Sequence, residues 1–251
     1  MHYSRMIAVP AMLLAVTTAT APAQKVDTVR VGSTSLLPSL LKPGTYVHDN
    51  YRVTGGERTF VSRTTQSVAA VGSGELGTFL IRTVHEAATD TGHSAIVVRQ
   101  SDLQLVHHQV RARRDSVDVT VNGDYLTGWS VLPQSPPLLI GARLAHRVFP
   151  IEGQIPWLMG LLDLKDGYVA AIPHYTEWAG TEAWSRIEVL GSERVPVGDY
   201  TFDCWKLDLG PFGPPGYRFT RWVDKRSRRV VQSVLKGADG EPEYWSWAVR
   251  P

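Results

Sequence analysis

Ser116-Val117-Asp118-Val119-Thr120-Val121-Asn122-Gly123-Asp124-Tyr125-Leu126-Thr127-Gly128-Trp129-Ser130-Val131 is the stretch whose reading decides the fold. Side chains alternate across a strand, so Val117, Val119 and Val121 share one face, and Ser116, Asp118 and Thr120 the other. Asn122-Gly123 tolerates the positive φ of a tight hairpin, which predicts that Tyr125 to Val131 returns antiparallel to Ser116 to Val121. The same period of two recurs upstream in Tyr46 to Val53, Arg58 to Thr65, Thr78 to Glu86, Ser94 to Gln100 and Leu103 to Ala112. Downstream it recurs in Ala183 to Leu190, Asp199 to Leu209, Tyr217 to Asp224, Arg229 to Lys236 and Glu243 to Val249, with glycine, proline or charged turns between.

Both sets read as antiparallel meanders. Between them Pro133, Pro136 and Pro137 end a strand, and Leu138 to Val148 and Ile155 to Leu162 carry apolar residues at mixed spacing. One or two short helices are expected there, with Pro156 in a first helical turn and Gly167 at the stop. Ser35 to Leu41 suits another single turn, capped by Thr34 or Ser35. The expected fold is mainly β: a curved antiparallel sheet of half-barrel type with one to three short helices in a central insert at about 133–165. No Gly/Ser-rich or charged linker divides it, so 24–251 reads as a single β-rich domain. A sheet of about ten strands must curl, close or split.

Arg5 followed by the apolar run Met6 to Val16, then Thr17 and Thr18, has the layout of a signal peptide. The run is shorter than the roughly 20 residues that span a bilayer. Ala21-Pro22-Ala23-Gln24 offers small residues at both peptidase positions, so residues 1–23 are expected to be removed and the mature chain to be soluble in a periplasm. Cys204 is the only cysteine, which excludes an intramolecular disulfide, and no thiol near the cleavage site can carry a lipid. With 26 Lys+Arg against 24 Asp+Glu, the charge balance implies neither a nucleic-acid partner nor an acidic substrate.

No catalytic constellation emerges, and no cofactor or metal is called for. Asp90-Thr91-Gly92 matches the aspartic-protease triplet, but no apolar strand leads into it and a turn is needed there. His107 and His108 point to opposite faces of a strand. The glycines from Gly72 to Gly77 lack the lysine and helix of a phosphate cradle, and Gly128-Trp129-Ser130 lacks the second glycine of a nucleophile elbow. Lys225, Arg226, Arg228 and Arg229 form the densest basic cluster, on an expected hairpin tip, with contact to a membrane surface as the sharper use. Eight tryptophans stand out. Most read as core, since a tryptophan fills space in a sheet well; if instead Trp205, Trp222 and Trp245 line a concavity, with Trp157, Leu158 and Leu161 as its lid, the six form an apolar ligand surface.

From Leu161 onward the chain resembles a family of uncharacterised proteins predicted to be periplasmic, a domain of unknown function related to outer-membrane lipoprotein-carrier half-barrels. The stretches that carry the resemblance are Leu161 to Tyr168, Gly191 to Lys206, and Arg221 to Lys225 followed by Arg228 to Val231. It covers the last third to two-fifths of the chain, implies the half-barrel, and assigns no catalytic residue. The expected function is a non-catalytic periplasmic module that binds an apolar small molecule, a lipid or a lipidated protein. The alternative is an envelope scaffold or assembly factor that binds another protein.

Overall fold

The computed structural model describes residues 26–113, 115–133, 135–147, 149, 156–176, 181–210, 218–237 and 243–249. The expected export signal and its cleavage site lie outside the described residues. Among the described residues the chain is mainly β, and fifteen strands form one sheet. β1 (Asp27–Thr28) is followed by the first meander: β2 (Gly44–Thr54), β3 (Glu57–Val71), β4 (Thr78–Ala87), β5 (Asp90–Arg99), β6 (Leu105–Arg111), β7 (Ser116–Asn122), β8 (Tyr125–Val131) and β9 (Leu138–Arg143). After the helix α1 (Pro156–Met159) come β10 (Val169–Thr176), β11 (Thr181–Val197), β12 (Tyr200–Gly210), β13 (Arg218–Asp224), β14 (Val230–Lys236) and β15 (Glu243–Ala248).

Among the described strands every pairing is antiparallel except β1 with β10. Two runs of neighbouring hairpins, β2 to β9 and β10 to β15, are joined at a seam where β15 pairs with β2, Ala248 opposite His48 and Trp245 opposite Tyr51. Past β9, Phe149 makes an isolated parallel bridge to His174 of β10, and the Ala145 amide donates to Glu182 Oε1 at 2.7 Å. The segment after the last strand in the order thereby touches strands near the other end.

Alternation produces the core. Val117, Val119 and Val121 are buried, as their period requires, and they join Val68, Ile81, Ile96, Leu126 and Ile140 from neighbouring strands. Ile172, Ile187, Leu207 and Val223 from the second meander belong to the same cluster, with Trp157, Leu158 and Leu162 of the insert. Burying one apolar side chain of this size contributes about 1.5–3 kcal/mol, so the inward face dominates stability. A second, smaller cluster, built on Val195, Cys204, Trp222, Val231 and Val234, lies on the other face, because Cys204 and Trp222 alternate with Trp205 and Val223.

Several local expectations need correction. Leu138–Arg143 is a strand, not a helix: its apolar residues do not alternate in type, yet its backbone pairs with β8 from Ser130 to Tyr125. Val169–Thr176 is a strand with no counterpart in the expected set, because nearly all of it is buried and no polar face marks the period. The β7–β8 hairpin turns on Gly123-Asp124 rather than Asn122-Gly123, with Gly123 at φ +66° and Asn122 paired to Tyr125. The turn before β5 is formed by Ala88 and Thr89, and Asp90 already pairs with Ala87. The turn near residue 38 is a 3₁₀ turn over Pro38–Leu40, with Leu37 at its N-cap and no side-chain cap. The helix expected at Pro156 is present but ends at Met159, eight residues before Gly167.

Candidate functional site

The seam creates a cavity of about 350 Å³. Three pieces of chain fold over it. The segment before β2 runs through the Pro38–Leu40 turn to Leu41 and Lys42, and it is zipped to the insert by a bridge between Leu36 and Leu162 and by Leu37 N donating to Leu161 O at 2.8 Å. α1 places Trp157 in the wall, with Leu161 following. The turn between β13 and β14 supplies Arg226, Ser227, Arg228 and Arg229. Leu41, Val68, Trp157, Leu161, Val230 and Val231 make an apolar floor, and all are buried. Lys42, His48, Gln66 and the three arginines form the polar part. No aspartate or glutamate is among the described residues that line it. The volume is at the small end of the roughly 300–1,000 Å³ typical of ligand pockets.

The basic turn is braced by hydrogen bonds of its own. The buried Asp224 accepts from Ser227 N at 2.7 Å and from Ser227 Oγ at 2.6 Å. Arg228 N donates to Asp224 O at 2.9 Å, and Arg228 takes φ +61°, uncommon for a side-chain-bearing residue. Its guanidinium turns inward: Cζ lies 4.7 Å from the Trp205 ring centroid and Nη1 donates to Leu162 O at 3.3 Å. Lys225 pairs with Asp203 at 3.1 Å. Arg229 sits 4.2 Å over Tyr46, whose hydroxyl donates to Lys42 O at 2.7 Å, while Lys42 Nζ reaches Ser39 O at 2.8 Å. Such cation–ring contacts contribute about 0.5–1 kcal/mol when exposed and more when desolvated.

Beneath the mouth, His48 Nε2 lies 2.9 Å from Val230 O. A carbonyl only accepts, so Nε2 carries the hydrogen. Burial holds the His48 pKa below its ordinary value, and the charge of Arg221 acts in the same direction. Arg221 is 3% exposed, and its Nε and one terminal nitrogen have no hydrogen-bond partner among the described residues. Burial lowers its pKa to about 10, which leaves it charged at neutral pH. Trp157, 9% exposed, likewise leaves its indole N–H without an acceptor among the described residues.

The six residues singled out in the sequence separate into three groups. Trp157 and Leu161 line the cavity. Leu158 is 1% exposed and packed in the main core, and Trp205 packs against that core beneath Arg228. Trp222 and Trp245 pack with the smaller cluster and, unlike its Val231, do not line the cavity; Trp222 Nε1 donates to Glu193 at 3.0 Å and Trp245 Nε1 to Glu243 at 2.9 Å. Trp245 also stacks on Trp247 with centroids 5.2 Å apart. Sequence reasoning missed Lys42, Tyr46, His48 and Gln66, which enter the site only through the pairing of distant strands. Among the described residues no group of three or more His, Cys, Asp or Glu side chains is placed to hold a metal ion. His107 instead contacts Asp118 at 2.9 Å, and His108 is buried.

No family model matches the chain, including the stretch from Leu161 onward whose motifs suggested one, and no curated protein matches it. Among solved structures, the chain is similar to the hypothetical lipoprotein YmcC from Escherichia coli K12, at 15% identity over 82% of this chain and 84% of that one, with a TM-score of 0.31. The likeness is remote. No described helix is long and apolar enough to cross a membrane.

Proposed function

We propose that the chain is a non-catalytic binding module of the periplasm that holds an apolar ligand, a lipid or the acyl chain of a lipidated protein, in the cavity beside Trp157. In this reading residues 1–23 export the chain and the sheet is curved into a half-barrel, for which the Phe149–His174 bridge between distant strands is the support. The observation that carries the proposal is the apolar floor of Leu41, Val68, Trp157, Leu161 and Val230 beneath an opening at the seam. A scaffold that binds proteins only through its outer surface would need no such space.

Burying about 300 Å² of hydrocarbon at about 25 cal/mol/Å² gives roughly 7 kcal/mol before association costs of at least 4 kcal/mol. Hydrocarbon alone therefore binds weakly here, and tight binding requires help from polar groups. The test is a tryptophan-fluorescence titration with dodecyl-chain ligands below their micelle concentration. A saturable shift that Trp157→Ala weakens is expected. A flat titration for charged and neutral dodecyl ligands alike overturns the proposal.

A further inference from the structure

We infer that the occupant is a single-chain amphiphile with an anionic head, a long-chain carboxylate, whose head is held at the mouth by Arg226, Arg229 and Lys42. This rests on the binding-module reading above and specifies its ligand.

The basic cluster divides by what each member already touches. Lys225 is neutralised by Asp203 and Arg228 is committed to Leu162 O and the Trp205 ring. Arg226 is exposed, Arg229 has a ring contact, and Lys42 has a backbone carbonyl; none of the three has a carboxylate partner among the described residues. The acid of the turn itself, Asp224, is buried and taken by Ser227. Positive charge is thus concentrated around one opening in a chain whose formal net charge is only +2. A low-dielectric floor beneath such a mouth strengthens its pull on an anion.

Size and hydrogen bonding restrict the ligand further. A space of about 350 Å³ suits one acyl chain rather than the two of a diacyl lipid. A carboxylate accepts from several donors at once, whereas an alcohol of the same chain length offers no charge.

The deciding experiment compares dodecanoate with 1-dodecanol on the full chain, at low and high salt, by fluorescence or calorimetry. Dodecanoate should bind roughly tenfold tighter, the gain expected of one or two charge-assisted contacts, and salt should shrink the difference. Arg226→Gln combined with Lys42→Gln, both at exposed positions, should cut the preference to about threefold or less by weakening dodecanoate more than dodecanol. Arg229→Gln should do the same at some loss of stability, since it also covers Tyr46. Equal binding of the two ligands, or a preference that survives the double substitution, overturns the anionic head and leaves the apolar cavity standing. Failure of both ligands to bind removes the cavity reading itself, and the inference with it.

Discussion

Gly160 lies so close to Arg228 that a Cβ on it would stand 1.8 Å from the Arg228 carbonyl oxygen and 2.9 Å from the carbonyl carbon. Only a residue without a side chain lets the end of α1 press against the turn that carries the arginines. The contact fixes the wall holding Trp157 and the mouth holding Arg226 and Arg229 relative to each other. Gly160→Ala should therefore cost about 1–3 kcal/mol, as overpacking does when backbone must move. A denaturant melt checks it: a variant as stable as the parent would show that the two segments separate freely.

Trp157 and Leu158 are neighbours with different surroundings, which makes them a paired test. Leu158→Ala should cost about 2–5 kcal/mol, the usual result in a close-packed core. Trp157→Ala should cost less than the about 3–5 kcal/mol of a fully packed aromatic, because part of the indole borders space, and should weaken dodecyl-ligand binding. Melts and titrations on both variants decide the matter. A larger loss at Trp157 than at Leu158, with ligand binding unaltered, would mark Trp157 as core.

Cys204 is fully buried on the face of β12 opposite Trp205, and burial, with the charges of Asp224 and Asp203, pushes its thiol up to about 12. The thiolate is the reactive form, so labelling of the native protein should be slow at neutral pH and should accelerate on unfolding. Cys204→Ser should keep ligand binding. Fast native labelling would contradict this placement.

His48 gives stability a pH dependence with a definite sign. Its folded pKa lies below the ordinary value of 6.5, so on acidification the unfolded chain takes up this proton first. Stability from this group is therefore full above that value and falls as pH drops through it toward the folded pKa. His48→Gln should flatten the loss of stability that sets in as pH falls below the ordinary histidine value of about 6.5. A His48 resonance titrating above the ordinary value, or an unchanged slope in the variant, would refute the assignment.

The meanders were legible because each strand carries its own signal. Val117, Val119 and Val121 announce a buried face within six residues, and Gly198-Asp199 announces the turn that joins β11 to β12. β10 was not legible, since Val169, Ala170, Ile172, Pro173 and Tyr175 are all buried and leave no alternation to read. β9 was hidden for another reason: Leu139 is 82% exposed while Ile140 is buried, so pairing of the backbone with β8, and not side-chain pattern, makes it a strand. The same limit applies to the site. Trp157 and Leu161 sit in one short apolar stretch and could be suspected together. Lys42, Tyr46 and His48 meet Arg229 and Val230 only because β2 lies beside β15, and no local feature of either segment announces a partner nearly the whole chain away. Trp205, Trp222 and Trp245 suggested one surface, but neighbouring positions on a strand face opposite ways, which separates Trp205 from Trp222 and Trp245.

The β15–β2 seam has a consequence for the order of events. Hairpins within each meander need only short loops to close, while the seam must bring Ala248 to His48 and carries the larger entropic cost. The cavity draws Tyr46, His48 and Val68 from one side of that seam and Arg229, Val230 and Ala248 from the other, so it does not exist until the seam has formed. An occupant would then act as a clasp between the two ends of the chain, favouring closure by about 2.7 kcal/mol at a hundredfold excess over its Kd. Empty and loaded protein would differ most in how often the terminal strand peels away, and amide exchange along 243–249 would report occupancy without any direct view of the ligand.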